Sequence, residues 1–201
     1  MTNKYERMNR LCRIGMQPLF PDSPLRRILI LGPSGSGKST VGKRISKVLG
    51  IPAVHLDMHY WKPNWVETPK DEWPDKVKEL IASETWVMDG NYTSTLKMRA
   101  EVADTIIFLD MTRRSSYFRV VARYLRNRGK TRPDVAEGCP EKIDMDFIRW
   151  IWDYPNTRKP AILRFLEKLR ASKNVYILHD QGEIEEFLNA LRIRYGRDNR
   201  I

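Results

Sequence analysis

Apolar residues follow two alternating patterns along this chain. Short, nearly continuous apolar runs predict strands buried on both faces at 26–31, 52–57, 85–89, 104–110 and 174–179. Apolar residues at helical spacing predict helices at 39–49, 71–83, 115–128, 183–191 and, interrupted by two prolines, 145–170. Strands that alternate with helices build parallel sheets with right-handed crossovers. The pattern therefore predicts an α/β domain whose five-stranded, doubly wound parallel sheet carries helices on both faces.

The flanking segments and the composition limit the class of protein. Residues 1–24 contain three prolines and no sustained period, which predicts an N-terminal extension before a domain at 25–201. Cys12 and Cys139 lie far apart without ligand partners at metal-binding spacing, which argues against a disulfide framework and a zinc site. No apolar run is long enough to span a membrane, so the expectation is a soluble, cytoplasmic protein.

A glycine-rich turn, GPSGSGKS at 32–39, separates the first predicted strand from the first predicted helix. It matches the P-loop pattern G-x-x-x-x-G-K-[ST], whose backbone N–H groups cradle phosphates at a helix N-terminus. The residues expected to bind the nucleotide are Gly32, Ser34, Gly35, Ser36, Gly37, Lys38, Ser39 and Thr40. The sequence contains no N-K-x-D motif, which disfavours a GTPase. ATP binding is the first functional prediction.

Two aspartates at predicted strand ends are candidates for the chemistry. Asp89 ends the strand at 85–89, where its carboxylate can hold Mg²⁺ together with the Ser39 hydroxyl; a turn cap beside Gly90 is the alternative. Asp57 ends the strand at 52–57, and ligands of doubly wound sheets bind beyond the carboxyl ends of strands. Asp57 can therefore orient or deprotonate an attacking hydroxyl, although a loop cap explains it equally well.

Basic residues are concentrated in one segment of a chain whose formal net charge is +11. Eight lysines and arginines and no acidic residue lie between positions 113 and 132. Arg119, Arg123 and Arg126 fall on one face of the predicted helix, with Phe118 and Leu125 among the apolar residues elsewhere around it. The following segment, 129–144, is rich in glycine, proline and charge, which predicts a mobile loop. Since arginine binds phosphate in a bidentate manner, this face beside that loop favours a lid over the transferred phosphate. A solvated helix face is the alternative.

An aromatic stretch follows the second predicted strand. This stretch can form a stacking wall for a planar acceptor, and packing of a small lid against the core explains it equally well. Its members are His59, Tyr60, Trp61, Trp65 and Trp73. A metal-binding histidine pair at 55 and 59 lacks supporting ligands, so ordinary packing is the better interpretation of both.

Several short motifs together carry a resemblance to a known family. They are the P-loop, 55–57 with Trp61 and Trp65, 86–92, 128–134, 138–141, and 150–152 with Arg158. In combination they resemble the adenylate-kinase-like P-loop kinases, and over 26–191 they look most like the bacterial topology modulation (FlaR-type) proteins. The resemblance implies the P-loop NTPase fold, with an acceptor-side insertion at about 58–84 and a small lid at about 126–144.

The same resemblance assigns roles to individual residues. It implies ATP and Mg²⁺ as cofactors, Asp89 as the magnesium-side acid, and an adenine site near 179–183. Arg119 and Arg123 would contact ATP, and Arg132 and Arg149 would be lid or transition-state arginines. Combined with the P-loop lysine and the acceptor-side carboxylate, this gives a predicted catalytic set: Lys38, Asp57, Arg123 and Arg132.

The chain departs from that family where an acceptor phosphate would be clamped. Arginines found there in nucleoside monophosphate kinases are replaced by Asp57-Met58-His59-Tyr60 and Asp89-Gly90-Asn91-Tyr92. Two readings of the acceptor follow: a nucleotide held by Arg99, or a hydroxyl compound, as in shikimate- or gluconate-type kinases. The first hypothesis for function is an Mg-ATP-dependent phosphotransferase acting on a small molecule or nucleotide. The second is an ATP-binding regulator of DNA topology or of a protein partner, with nucleic-acid contact at most weak and non-specific.

Overall fold

The computed structural model describes residues 20–196 as an α/β fold built on a five-stranded parallel sheet. Its strands are β1 (Arg27–Leu31), β2 (Ala53–His55), β5 (Trp86–Asp89), β6 (Thr105–Leu109) and β7 (Asn174–Leu178). Their spatial order is β2-β5-β1-β6-β7, with every neighbouring pair parallel. Since β1 is central, the loop that follows it lies at the middle of the sheet's carboxyl edge. The predicted doubly wound sheet is confirmed.

Helices cover both faces of this sheet. They are α1 (Lys38–Leu49), α2 (Leu56–Tyr60), α3 (Trp73–Ile81), α4 (Thr93–Val102), α5 (Arg113–Asn127), α6 (Met145–Thr157), α7 (Lys159–Leu169) and α8 (Gln181–Tyr195). Side chains of α1 and α8 bury one face of the sheet, and side chains of α3, α4, α6 and α7 bury the other. Strands covered on both faces have no solvated side, which explains their continuous apolar runs.

The end of the predicted extension joins the core. Residues 1–19 lie outside the described chain, but Phe20 is buried and packs its ring edge-on against Phe187, with centroids 5.3 Å apart. Its ring also contacts Tyr176 and Tyr195. Phe20, which the sequence assigns to the extension, therefore belongs to the hydrophobic core, because its large aromatic side chain is buried among other rings.

Two predicted elements differ from the structure, and one helix was missed. The second strand ends at His55, opposite the end of β5 at Asp89, so Asp57 has no strand to pair with and lies in α2 instead. The predicted helix 145–170 is broken at Arg158 into α6 and α7. Helix α4 was not predicted, since its buried side mixes Leu96 and Ala100 with the polar Thr95 and the charged Arg99.

The acceptor-side insertion contains a small hairpin. Strands β3 (Trp61–Lys62) and β4 (Val66–Glu67) pair antiparallel around a turn at 63–65. Asn64 and Trp65 adopt positive φ angles of 64° and 62°, which non-glycine residues rarely take. Two-residue strands are too short to leave a periodic signal, so the sequence did not predict the hairpin.

Candidate active site

The P-loop closely approaches the rest of the chain. Gly32, Gly35 and Gly37 have φ angles of 148°, 79° and 96°, which favour glycine. A Cβ on Gly35 would lie 2.4 Å from the carbonyl oxygen of Ser116, and one on Gly32 would lie 2.7 Å from that of Leu109. Both backbone angle and space therefore require glycine at these two positions. The turn leads directly into α1 at Lys38, so the helix N-terminus faces the loop.

The lysine of the loop is held by the loop itself. The Lys38 ammonium group donates to the carbonyl oxygens of Gly32, at 2.9 Å, and Pro33, at 3.0 Å. Burial lowers the Lys38 pKa, against the attraction of Asp89 and Asp57. Because backbone carbonyls are uncharged, this ammonium group forms no ion pair with a residue of 20–196 and is suited to an arriving phosphate.

Asn91 fixes the start of the P-loop and was not predicted as a site residue. Its side-chain oxygen accepts from the Gly32 N–H at 3.2 Å, and its amide nitrogen donates to the Gly32 carbonyl at 2.9 Å. The available signal was its place after Asp89-Gly90, where β5 runs beside β1. Asn91 therefore ties the ends of two adjacent strands together.

Asp89 lies where the sequence predicts a metal-side acid. Its Oδ1 accepts from the Ser39 hydroxyl at 3.3 Å, and its Oδ2 lies 2.5 Å from Nδ1 of the buried His55. The structure brings Ser39 and Asp89 together as predicted. It also gives His55 a partner, so His55 and the exposed His59 do not form a metal pair.

Asp57 is held on the acceptor side by a tyrosine. The Tyr92 hydroxyl donates to its Oδ1 at 2.6 Å. Burial raises the Asp57 pKa, while the hydrogen bond from Tyr92 and the charge of Lys38 oppose that rise. A carboxylate with a raised pKa is a stronger proton acceptor, which suits a general base. Tyr92 itself has an unusual φ of 24°, so the local backbone is strained at this position.

The two candidate lid arginines share one buried carboxylate. Glu141 contacts Arg123 Nε at 2.9 Å and Arg132 Nε at 2.5 Å, and its side chain is only 2% exposed. Arg132 also pairs with Asp134 at 2.8 Å. Burial raises the Asp134 pKa, but the charge of Arg132 and a hydrogen bond from Ser39 outweigh this and lower it overall. The lid segment thus reaches the P-loop through Asp134.

The lid and the hairpin of the insertion are joined. The Asn64 N–H donates to the Gly138 carbonyl at 2.8 Å, and the Trp65 indole N–H donates to the Pro140 carbonyl at 2.8 Å. The buried Cys139 thiol lies 3.3 Å from the Lys62 carbonyl. The lid and the hairpin, joined by these contacts, form a roof over the carboxyl edge of the sheet.

The remaining predicted arginines separate into different environments. Arg119 contacts the Ser36 carbonyl at 3.1 Å and Gln181 at 3.2 Å, beside the P-loop. Arg126 is exposed and donates to the Ala122 carbonyl within its own helix, so only part of the predicted arginine face reaches the site. Arg149 is exposed and does not line the cavity under the roof.

The apolar residues of helix α5 are only partly buried. Phe118 and Leu125 are 67% and 69% exposed, whereas Val120 is fully buried. The two exposed residues lie seven positions apart and therefore share a face that points away from the core.

Arg99 does not clamp an acceptor. It is fully buried and donates to the carbonyl oxygens of Gly90, Asn91 and Tyr92 at 2.7 to 2.9 Å. Burial lowers its pKa to about 9. Its donors therefore hold the turn after β5, and the reading in which Arg99 binds an acceptor phosphate is wrong.

One cavity of about 790 Å³ joins these groups. Lys38, Ser39 and Asp89 line its P-loop end, and Asp57 and Tyr92 line its acceptor end. The predicted aromatic wall is divided. Trp61, Trp65, Phe147 and Trp150 line the cavity, whereas Trp73 is buried in the core and packs against Tyr60.

A second cavity, of about 640 Å³, lies near the predicted adenine segment. His179 lines it, and its Nδ1 lies 3.2 Å from Asp110, which also pairs with Lys159 at 2.7 Å. Gln181 points instead to Arg119 at the P-loop. The 179–183 segment thus lines the second cavity through His179 and contacts Arg119, beside the P-loop, through Gln181.

Two absences hold for residues 20–196. Within that range, His, Cys, Asp and Glu side chains form no group of three that could hold a metal ion. None of the described helices combines the length and apolar character needed to cross a membrane.

Solved structures that are similar to this chain include two shikimate kinases. A shikimate kinase from Acinetobacter baumannii in complex with shikimate matches with a TM-score of 0.54 at 16% identity, over 83% of this chain and 90% of the other. A shikimate kinase from Bacteroides thetaiotaomicron matches at 0.52 and 17%, over 84% and 97%. The fold is that of a P-loop kinase. A gluconokinase from Sinorhizobium meliloti 1021 has a TM-score of 0.48 at 18% identity, over 86% of this chain and 94% of that one.

Comparison of the sequence with protein-family models and with curated proteins gives no match.

The residues present fit a nucleotide phosphate with its Mg²⁺. The glycine cradle leaves no room for a Cβ at Gly32 or Gly35. The Lys38 ammonium group has only backbone partners, and the buried Ser36 hydroxyl has no hydrogen-bond partner in the described chain. A hydroxyl at Ser39 facing the Asp89 carboxylate is the oxygen pair that Mg²⁺ accepts in P-loop sites.

Proposed function

We propose that this chain is an Mg-ATP-dependent phosphotransferase that acts on a small-molecule or nucleotide acceptor. One observation carries the proposal: the phosphate-binding loop and the Asp57 carboxylate open onto the same covered cavity. Its volume lies within the range of about 300–1,000 Å³ that is usual for small-molecule sites. A phosphate cradle opposite a carboxylate of raised pKa is the arrangement that phosphoryl transfer to a hydroxyl needs.

Each predicted residue then has a role. ATP supplies the γ-phosphoryl group, and Mg²⁺ neutralises part of its charge. Lys38 and the loop N–H groups stabilise the developing negative charge. Ser39 and Asp89 hold Mg²⁺, and Arg119 lies toward the adenine ring of ATP. The remaining loop residues bind the phosphates through backbone and hydroxyl groups: Gly32, Ser34, Gly35, Ser36, Gly37 and Thr40.

The lid arginines contribute to the transfer when a phosphate of ATP replaces Glu141 as their partner. Arg123 and Arg132 are paired with Glu141, so each can move its charge from that carboxylate to the transferred group. Asp57, held by Tyr92, accepts the proton of the acceptor hydroxyl. The hydroxyl oxygen bonds to the γ phosphorus, and the bond from that phosphorus to the β–γ bridging oxygen breaks to leave ADP.

The finer assignments are part of the same proposal. The likeness to the bacterial topology modulation proteins, the adenylate-kinase-like specificity, the lid and insertion boundaries and a cytoplasmic location rest on the sequence motifs. A regulator that acts on DNA topology or a protein partner is the outcome to expect if ATP binds without any transfer.

Acceptor-dependent ADP formation tests the proposal. Wild-type protein with Mg-ATP should show calorimetric binding heat, and turnover should appear with a suitable hydroxyl compound. Lys38→Ala should lower turnover about 10²- to 10³-fold, the effect of losing one preorganised charge-stabilising donor. Lys47→Ala, an exposed change in the same helix, is the control. Absence of both heat and thermal shift with millimolar Mg-ATP would contradict the proposal.

A further inference from the structure

The walls of the covered cavity are acidic in a protein that is strongly basic. Seven carboxylates line it against four basic side chains, although the whole chain has a formal net charge of +11. The carboxylates are Asp57, Glu67, Asp89, Asp134, Glu141, Asp144 and Asp146, and the basic residues are Lys38, Arg123, Arg132 and Lys142. This reversal of sign is local to the site, so it bears on the ligand that enters there.

The carboxylates differ in how far they are neutralised. Asp89 belongs to the P-loop end, and Glu141 and Asp134 are paired with arginines. Four remain on the acceptor side: Asp57 at the base of the cavity and an acidic rim that consists of Glu67, Asp144 and Asp146. All three rim residues are exposed, and no described basic side chain forms an ion pair with them. The rim therefore carries uncompensated negative charge.

Cations that could hold an anionic acceptor are already engaged. Arg99 donates to three backbone carbonyls, Arg123 and Arg132 pair with Glu141, and Lys38 belongs to the P-loop. Among the cavity-lining residues of the described chain, this leaves Lys142 alone on the acceptor side. An acceptor that carries a phosphate or carboxylate would thus be repelled by the acidic rim, and only the exposed Lys142 could offset that repulsion.

The aromatic residues of the wall favour positive charge. The Lys142 ammonium nitrogen lies 5.5 Å from the centroid of the Trp65 ring, and Trp61 packs edge-on against Trp65. Phe147 and Trp150 stack at 6.3 Å on another side of the cavity. Aromatic faces combined with carboxylates bind ammonium groups by cation–π and charge attraction. The wall already holds one ammonium group in this way.

We infer that the acceptor is a hydroxyl compound that carries an amine or quaternary ammonium group. This inference rests on the proposed kinase function and specifies its acceptor class. The cationic group lies between the acidic rim and the Trp150 ring, because Lys142 already occupies the Trp65 ring, and the hydroxyl faces Asp57. That hydroxyl loses its proton to Asp57 and gains the γ-phosphoryl group, with ADP as the leaving group. Phosphate- and carboxylate-bearing acceptors are repelled by the rim.

A panel of acceptors sorted by charge tests the inference. Glucosamine, kanamycin and ethanolamine are the cationic probes, glucose and adenosine the neutral ones, and gluconate, shikimate and AMP the anionic ones. Acceptor-dependent ADP formation and the mass of the phosphorylated product are measured. At least one cationic probe should be phosphorylated, with kcat/KM at least about tenfold above every anionic probe.

The possible outcomes separate the two claims. If Mg-ATP does not bind, the proposed function itself fails. If Mg-ATP binds and an anionic probe is phosphorylated as well as or better than the cationic ones, only the acceptor class is wrong. Mg-ATP binding with no phosphorylation of any cationic probe likewise overturns the acceptor class.

Rim variants give a second, independent readout. Glu67→Gln combined with Asp146→Asn should raise the KM of the cationic acceptor about tenfold, with little change in kcat or in the KM for ATP. Asp144 is left intact because its side chain caps α6 at the Phe147 N–H. Glu79→Gln, an exposed change on α3, is the matched control and should alter neither KM. An unchanged acceptor KM in the rim variant would remove the rim from recognition.

Discussion

Glu141→Gln isolates the charge that holds the lid arginines in place. The substitution keeps the shape of the side chain and removes its negative charge. Arg123 and Arg132 would then face each other without their shared partner, close enough to Lys38 for both to depress its pKa. The like charges are pressed together, so the folded state should lose stability in the absence of anions.

The size of that loss follows from burial. Breaking a buried ion pair by removing one partner costs about 3–5 kcal/mol. Glu141 is 2% exposed, but the Arg123 and Arg132 side chains are 24% and 13% exposed and keep some hydration. We therefore expect a loss near the lower end, about 3 kcal/mol. At about 2–4 °C per kcal/mol for a domain of this size, Tm should fall by about 6–12 °C.

Thermal unfolding with and without tripolyphosphate is the assay. The polyanion binds the arginines and supplies the missing charge, so the Tm difference between wild type and variant should shrink as tripolyphosphate is added. Glu137→Gln, an exposed glutamate change in the same segment, should shift Tm by less than about 2 °C. A loss in Glu141→Gln that is below 1 °C, or that stays the same at saturating tripolyphosphate, would refute the reasoning.

Three further predictions follow from the site. Gly35→Ala should abolish Mg-ATP binding in calorimetry, because the new Cβ would clash with the Ser116 carbonyl. The control is Gly129→Ala, which also lies at positive φ but has open space around its Cβ; it should keep Mg-ATP binding and lose only about 1 kcal/mol of stability. Asp57→Asn should abolish turnover yet stabilise the fold at neutral pH in denaturant titrations. The folded pKa of Asp57 is raised, so its destabilising contribution grows as pH rises from the unfolded pKa through the folded one and is complete above it. The advantage of the variant should vanish in acid; persistence there would contradict the assignment. Duplex DNA should bind weakly, lose about tenfold or more in affinity from 50 to 200 mM salt, and be displaced by Mg-ATP, whereas tight, sequence-selective binding that survives Mg-ATP in a fluorescence assay would favour the regulator.

Local signals were sufficient for the fold and for the phosphate end of the site. Continuous apolar runs identify strands buried on both faces, and a P-loop needs its glycines, lysine and serine in consecutive positions. Lys38, Ser39 and Asp89 were therefore predicted together, and the structure brings them together. The sequence also located Arg123 and Arg132 in a basic segment, because the absence of acidic residues from 113–132 can be seen without knowledge of the tertiary contacts.

Partners that meet only across the fold could not be read in this way. Glu141 lies 18 residues from Arg123 and Asn91 lies 59 residues from Gly32, and neither spacing has a period that marks a contact. The sequence allowed Arg99 to bind an acceptor, but in the fold its guanidinium group donates to backbone carbonyls of the turn after β5.

The sequence by itself determined the five strands of the main sheet, most of the helices that cover it, the P-loop and the clustering of basic residues, since each depends on neighbours along the chain. Only the tertiary structure decided which of those charges are free. Glu141 neutralises two arginines and backbone carbonyls accept from Arg99, while Glu67 and Asp146 line the cavity without an ion pair to any basic residue of the described chain. The physical reason is that the net charge of a site depends on which opposite charges lie within a few ångströms, and folding sets those distances.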